Sequence, residues 1–135
     1  MALKWYTVVV DCKDISAQAR WWADVLDWQI VFEQEDEVAI VPLHAEAKHR
    51  SAQEWPRIGP GMVFVPVPEG KTVKNRLHIA LAPHLSDDRD ALIDDLLAKG
   101  ATRADVGQAN GEGTTWSVLA DPEGNEFCVL SARDM

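Results

Sequence analysis

The side chains able to do chemistry gather at two places in this chain. His78 sits in Leu77-His78-Ile79-Ala80-Leu81, with Arg76 at the same parity and Lys71 and Lys74 just upstream. Glu126 and Cys128 alternate with Phe127 and Val129 near the end. An imidazole titrating near neutrality serves as a general base, as a metal ligand or as an anchor for a polar ligand group. Cationic neighbours would draw an anionic small molecule towards it. A carboxylate and a thiol two residues apart on a strand share one face, opposite Phe127 and Val129. Each has a plainer reading: a strand histidine bonded to a neighbour, a solvated basic entry, an inert packed thiol. No base at fixed spacing accompanies Cys128, so packing is its favoured role.

Other motifs are weaker. His44 and His49 flank Glu46 in residues 43–60, a segment with no period that reads as a surface loop or lid over a cleft, together with Trp55 and Arg57. Residues 107–115 (GQANGEGTT) carry three glycines but lack the Lys-Ser/Thr ending of a phosphate loop, and suit a loop at a cleft mouth. No Gly-x-Ser-x-Gly is present to support a serine hydrolase. Six tryptophans stand out in 135 residues. Trp22 belongs to a core by spacing, while Trp5, Trp55 and Trp116 are candidates for stacking on a ligand.

These residues must be positioned by strands and helices that the pattern predicts. Residues 5–12 (WYTVVVDC) are β-branched and aromatic, hence a strand. Residues 15–26 place Ile15, Ala19, Trp22 and Leu26 at helical spacing, with Asp14 or Ser16 as cap. Residues 28–33 and 38–41 form a hairpin about an acidic turn, and 61–67 is a strand limited by Pro66 and Pro68. A second series follows: strand 77–81, helix 87–99 with Leu92, Ile93, Leu96 and Leu97 in one stripe, then strands at 101–106, 116–120 and 126–131. Asp121-Pro122-Glu123-Gly124-Asn125 supplies the turn between the last two.

Size and charge bound the rest. The chain of 135 residues is one ordinary domain, large enough to fold without a disulfide or metal staple. A net charge of −9 repels phosphate backbones and anionic lipid, so neither nucleic acid nor membrane is an expected partner. No apolar run approaches the roughly 20 residues of a membrane span. The start lacks the pattern of a secretion signal, and Cys12 and Cys128 lie in strand patterns, so a cytoplasmic protein with reduced thiols is expected.

Adding 71 to each number in the first strand and helix sets Val8 on Ile79, Val10 on Leu81, Trp22 on Ile93, Val25 on Leu96 and Leu26 on Leu97. That match suggests a duplicated strand, helix and three-strand unit, joined near residues 67–75, with chance agreement of two amphipathic segments as the competitor. Thr7 then falls opposite His78.

The runs Val8-Val9-Val10-Asp11-Cys12, Arg20-Trp21-Trp22-Ala23-Asp24-Val25-Leu26-Asp27-Trp28, Lys71-Thr72-Val73-Lys74-Asn75-Arg76-Leu77-His78 and Asp121-Pro122-Glu123-Gly124-Asn125-Glu126-Phe127 resemble the glyoxalase/bleomycin-resistance/dioxygenase superfamily, also called vicinal oxygen chelate, and most of all its actinobacterial glyoxalase-like branch. The resemblance implies an α+β fold of two βαβββ modules, residues 1–70 and 71–135. It implies too that their curled mixed sheet surrounds a cleft with helices on the convex face, and that the protein is a homodimer. It also implies metal ligands, typically His and Glu, from the first and last strand of each module. Here those places hold Thr7, His78, no carboxylate in residues 62–67, and Cys128, with Glu126 on the same face. A catalytic zinc wants three protein ligands, and His78 with Glu126 or Cys128 falls short. The expectation is therefore a protein without a cofactor that binds a small aromatic or amphipathic molecule in the cleft, lined by Thr7, Arg76, His78, Trp116, Glu126 and Cys128. The alternative is a lyase, isomerase or dioxygenase holding a divalent metal through His78 and Glu126.

Overall fold

A computed structural model describes residues 3–45, 50–104 and 116–135. The chain divides into two compact units, Met1–Gly70 and Lys71–Met135.

The first unit runs β1 (Thr7–Cys12), α1 (Ile15–Leu26), β2 (Gln29–Gln34), β3 (Glu37–Val41) and β4 (Gly61–Pro66), with short 3₁₀ turns at Leu43–Ala45 and Trp55–Arg57. Its sheet has the order β1-β4-β3-β2. The β1–β4 pair is parallel and the other two pairs are antiparallel. Parallel pairing needs a crossover, and α1 with the β2–β3 hairpin supplies it. Of the two candidate caps for α1, Asp14 is the one used: its carboxylate accepts the Ala17 N–H at 3.0 Å. Ser16 instead donates to Glu33. The helix ends where Asp27 takes a left-handed φ of 55° and its N–H reaches back to Ala23 and Asp24.

The buried side of α1 is Ile15, Gln18, Ala19 and Trp22. Leu26, expected in that stripe, is only half-buried, and Gln18 lies in the buried set. Beneath the helix lie Val38, Ile40, Met62 and Phe64, all buried, with Val38 paired to Phe64 and Ile40 to Met62. Trp21 stacks edge-on against Trp22, ring centroids 5.1 Å apart, so the adjacent tryptophans split between seam and flank.

The second unit repeats the plan with β5 (Ile79–Leu81), α2 (Arg89–Ala98), β6 (Thr102–Arg103), β7 (Trp116–Ala120) and β8 (Glu126–Leu130), in the order β5-β8-β7-β6. Both units are thus βαβββ modules of an α+β chain, with the same strand order and the same parallel pair of first and last strands. Asp88 caps α2 through the Ala91 N–H, and Arg89 donates to Ser117 Oγ and to the carbonyls of Val129 and Leu130, pinning the helix start to β7 and β8. Between β7 and β8 the Asp121 carboxylate accepts the N–H groups of Glu123 and Asn125, and Gly124 takes a φ of 91°.

Three expectations are revised in this unit. Leu77 is 89% exposed and precedes β5, which is three residues long, so the strand expected from residue 77 begins at Ile79. On α2 only Ile93 and Leu96 are buried, while Leu97 is half-buried and Leu92 exposed, so the buried stripe is narrower than the four apolar positions suggest. The expected strand 101–106 is Thr102–Arg103, and residues 105–115 lie outside the described ones. No helix among the described residues is long and apolar enough to cross a membrane.

Phe64→Ala should lower unfolding stability in urea by about 3–5 kcal/mol, whereas Val9→Ala on the opposite sheet face, where Val9 is 60% exposed, should change it by no more than about 0.5 kcal/mol.

Candidate functional site

The first unit's sheet has two unlike faces. Val8 and Val10 pair with Met62 and Phe64 on the helix side, so Thr7, Val9, Val63, Ala39 and Val41 alternate onto the other side. That side carries a cavity of about 530 Å³, within the usual range for small-molecule sites. Thr7, Ala39 and Val63 form its floor, and Phe32, Tyr6 and Trp55 stand at its walls. The β2–β3 pairing is irregular between Ile30 and Phe32, and Val31 and Phe32 are both exposed and both line the cavity. At Gly61 a Cβ would come 2.7 Å from the Ile40 carbonyl oxygen, so glycine lets β3 and β4 close up under the cavity.

One wall is fastened by Lys4. Its ammonium donates to the Trp55 carbonyl at 3.0 Å and to that of Ile58 at 3.3 Å, and lies 4.9 Å from the Trp55 ring centroid and 5.8 Å from that of Tyr6. Arg50, also at the cavity, donates to the His44 carbonyl at 2.7 Å. Among the described residues, Glu37 is the carboxylate of the lining.

Of the side chains expected to bind, Thr7 lines this cavity. Arg76, His78, Trp116, Glu126 and Cys128 lie in the other unit. There the Glu126 carboxylate is buried and engaged: Oε1 accepts from Lys71 Nζ at 2.8 Å and Oε2 from the Asn75 N–H at 3.1 Å. Burial pushes its pKa up, but the hydrogen bonds from Lys71 and backbone N–H groups and the Lys71 charge outweigh that and leave it below its ordinary value. Lys71, read from the sequence as solvated, is thus part of a partly buried ion pair. Cys128 is buried, and desolvation pushes its thiol pKa up, which suits packing and not nucleophilic attack. His78 and Arg76 are exposed, and Trp116 is half-buried at the start of β7.

Trp55 stands in the lining as expected, while Trp5 is exposed, its indole N–H donating to the Thr7 carbonyl. His44 is exposed on its 3₁₀ turn, whereas Glu46, His49 and residues 107–115 lie outside the described residues. Lys4, Tyr6, Phe32, Glu37 and Arg50 were not singled out by the sequence. The available signal was the parity of residues 7, 9 and 11, which assigns a second, solvent-side face to β1.

The model of the glyoxalase-like domain family matches residues 7–130. The chain belongs to that family. Its fold is similar to that of a glyoxalase/bleomycin resistance protein/dioxygenase family enzyme from Burkholderia phytofirmans PsJN, at 16% identity and a TM-score of 0.67, covering 96% of this chain and 99% of that one. It is similar too to the fosfomycin resistance protein FosX from Listeria monocytogenes in complex with Mn(II) and sulfate, at 11% identity and a TM-score of 0.68, covering 98% and 92%. The oxidase ChaP-H2 matches at 18% identity and a TM-score of 0.59, covering 97% and 94%. No curated protein matches the sequence.

Among the described residues, the side chains at Thr7, Glu126 and Cys128 do not fit a metal of the kind FosX carries. Both Glu126 oxygens already have partners, Cys128 is held as a thiol, and Thr7 brings no imidazole. Among the described residues no three His, Cys, Asp or Glu side chains converge.

Glu126→Gln should cost about 1.5–3 kcal/mol near pH 7, the worth of hydrogen bonds to a charged group. Because the folded carboxyl has the lower pKa, its stabilisation is full above the unfolded value of roughly 4.3 and fades as pH falls through the folded one. Urea unfolding across pH should therefore show variant and parent converging in acid. With Cys12 and Cys128 both buried, a thiol reagent should label neither in the folded protein and both after denaturation.

Proposed function

We propose that this glyoxalase-like protein binds a small aromatic or amphipathic molecule and needs no divalent metal to do so. The observation that carries the reading is the cavity on the first unit's open sheet face, walled by Tyr6, Phe32 and Trp55 over an aliphatic floor. Aromatic walls with few polar groups are the usual make-up of a site that takes an apolar body and orients it by a few contacts. Binding or sequestration, the role that the words bleomycin resistance in the Burkholderia protein's description suggest, asks for nothing more. The proposal places the protein in the cytoplasm as a homodimer, in keeping with an acidic chain that leaves Leu3, Trp5, Tyr6 and Val9 exposed in its first unit.

The rival, a metal-dependent lyase, isomerase or dioxygenase using His78 and Glu126, would require Glu126 to leave Lys71 and Asn75 for the metal. Metal analysis of protein purified without a histidine tag should find Zn, Ni, Mn and Fe well below one equivalent, and adding them should give no thermal shift that His78→Ala abolishes. A ligand at 100 times its Kd should stabilise the protein by roughly 2.7 kcal/mol. Trp55→Ala should weaken that ligand about five- to ten-fold while sparing the fold, since its side chain is exposed. A tightly bound metal equivalent, or a screen of small molecules that stabilises nothing, would overturn the proposal.

A further inference from the structure

Phe32 reaches the cavity because β2 carries one residue more than β3 along their pairing. Ile30 stands opposite Ile40 and Phe32 opposite Ala39, so Val31 between them is a bulge. In a regular ladder Val31 would stand opposite Ala39, and Phe32 opposite Val38, which is buried beneath α1. The bulge reverses that parity. Glu33 is opposite Val38 instead and turns to the helix, where its carboxylate accepts from Nη1 and Nη2 of Arg20 at 2.7 and 3.0 Å and from the Ser16 hydroxyl at 3.3 Å. Phe32 is left 43% exposed on the open face, beside Val31 at 44%. A ring that the regular register would bury is thereby given to the cavity, and bulges recur where a side chain is re-aimed at a site.

The sheet sets this ring across the floor from the other aromatic wall. β1 and β2 are the two edges of the sheet, three strand spacings or about 14 Å apart. Tyr6 immediately precedes β1, and Lys4 ties Trp55 to the same edge. Between the edges lie Val63 of β4 and Ala39 of β3, and Ala39, the smaller, keeps the floor low directly beside Phe32. Among the described residues of the lining, one side thus offers two rings and the other side one.

We propose that Phe32 is a specificity-determining residue of this cavity, selecting flat apolar molecules of two fused or linked rings over single rings. A single ring settles against Trp55 and Tyr6, where aromatic area is greatest, and leaves Phe32 unused. A two-ring body lies over Val63 and Ala39 and touches Phe32 as well. The inference rests on the small-molecule reading above and adds the ligand's extent and the residue that senses it.

The test is chemical-shift titration of the full chain with two neutral probes, phenol and 2-naphthol, in the parent, Phe32→Ala and Phe32→Tyr. The parent should bind 2-naphthol at least about ten-fold more tightly than phenol. Phe32→Ala should weaken 2-naphthol about five- to ten-fold, the worth of one aromatic contact, and leave phenol within about two-fold. Phe32→Tyr keeps the ring and should keep the parent's preference. Equal loss of both probes in Phe32→Ala, loss of neither, or a tyrosine variant no better than the alanine one overturns the assignment of Phe32 and leaves small-molecule binding standing. If the parent binds neither probe, this inference and the reading it rests on are both overturned.

Discussion

The first sheet packs α1 against one of its two faces. Its strands alternate, so burying Val38, Ile40, Met62 and Phe64 under α1 obliges Thr7, Val9, Ala39 and Val63 to face the other way. A one-residue slip would exchange the two sets, and large apolar side chains on the helix face fix the register. The cavity follows from the same constraint: small or β-branched residues make its floor, and bulkier groups from the flanking segments rise at its edges.

What stands at those edges comes from parts of the chain with no strong periodic signal. Lys4 and Tyr6 precede β1, and Trp55 lies on a 3₁₀ turn within the long connection from β3 to β4. The Lys4 ammonium holds this arrangement by bonding two carbonyls of that connection and lying against two rings. The second unit uses its corresponding charges differently. There a lysine and a carboxylate meet in a partly buried pair between the segment before β5 and the start of β8, and the carboxylate that resembled a metal ligand holds the chain together. One topology thus leaves one module with an open aromatic face and the other with an internal ion pair, as expected when function resides in sites grafted on a fold.

Most of the fold was legible in the residues. The helical spacing of Ile15, Ala19 and Trp22 gives the observed span Ile15–Leu26, and the apolar match at an offset of 71 anticipates two modules of one strand order. Strand ends were harder, because Leu77 continues the alternation of Ile79 and Leu81 although nothing in that unit's pairing extends to it. The candidate site was legible only in part. Thr7 and Trp55 could be picked out by residue type and position, whereas Lys4, Glu37 and Arg50 line one cavity from separate segments of the sequence, brought to it by the pairing of β1 with β4 and of β3 with β4. The partnership of Glu126 with Lys71 was hidden for the same reason: 55 residues separate them.

The central claim is that ligand recognition belongs to the first unit's open face and not to His78 and Glu126. Amide and tryptophan indole N–H spectra of isotopically labelled protein, recorded while a small aromatic molecule that stabilises the protein is added, test it residue by residue. The account predicts shifts concentrated at Tyr6, Thr7, Ala39, Val63 and the Trp55 indole, with Glu126 and the β8 amides unmoved. Shifts centred on His78, Glu126 and β8, with the first sheet silent, would contradict it.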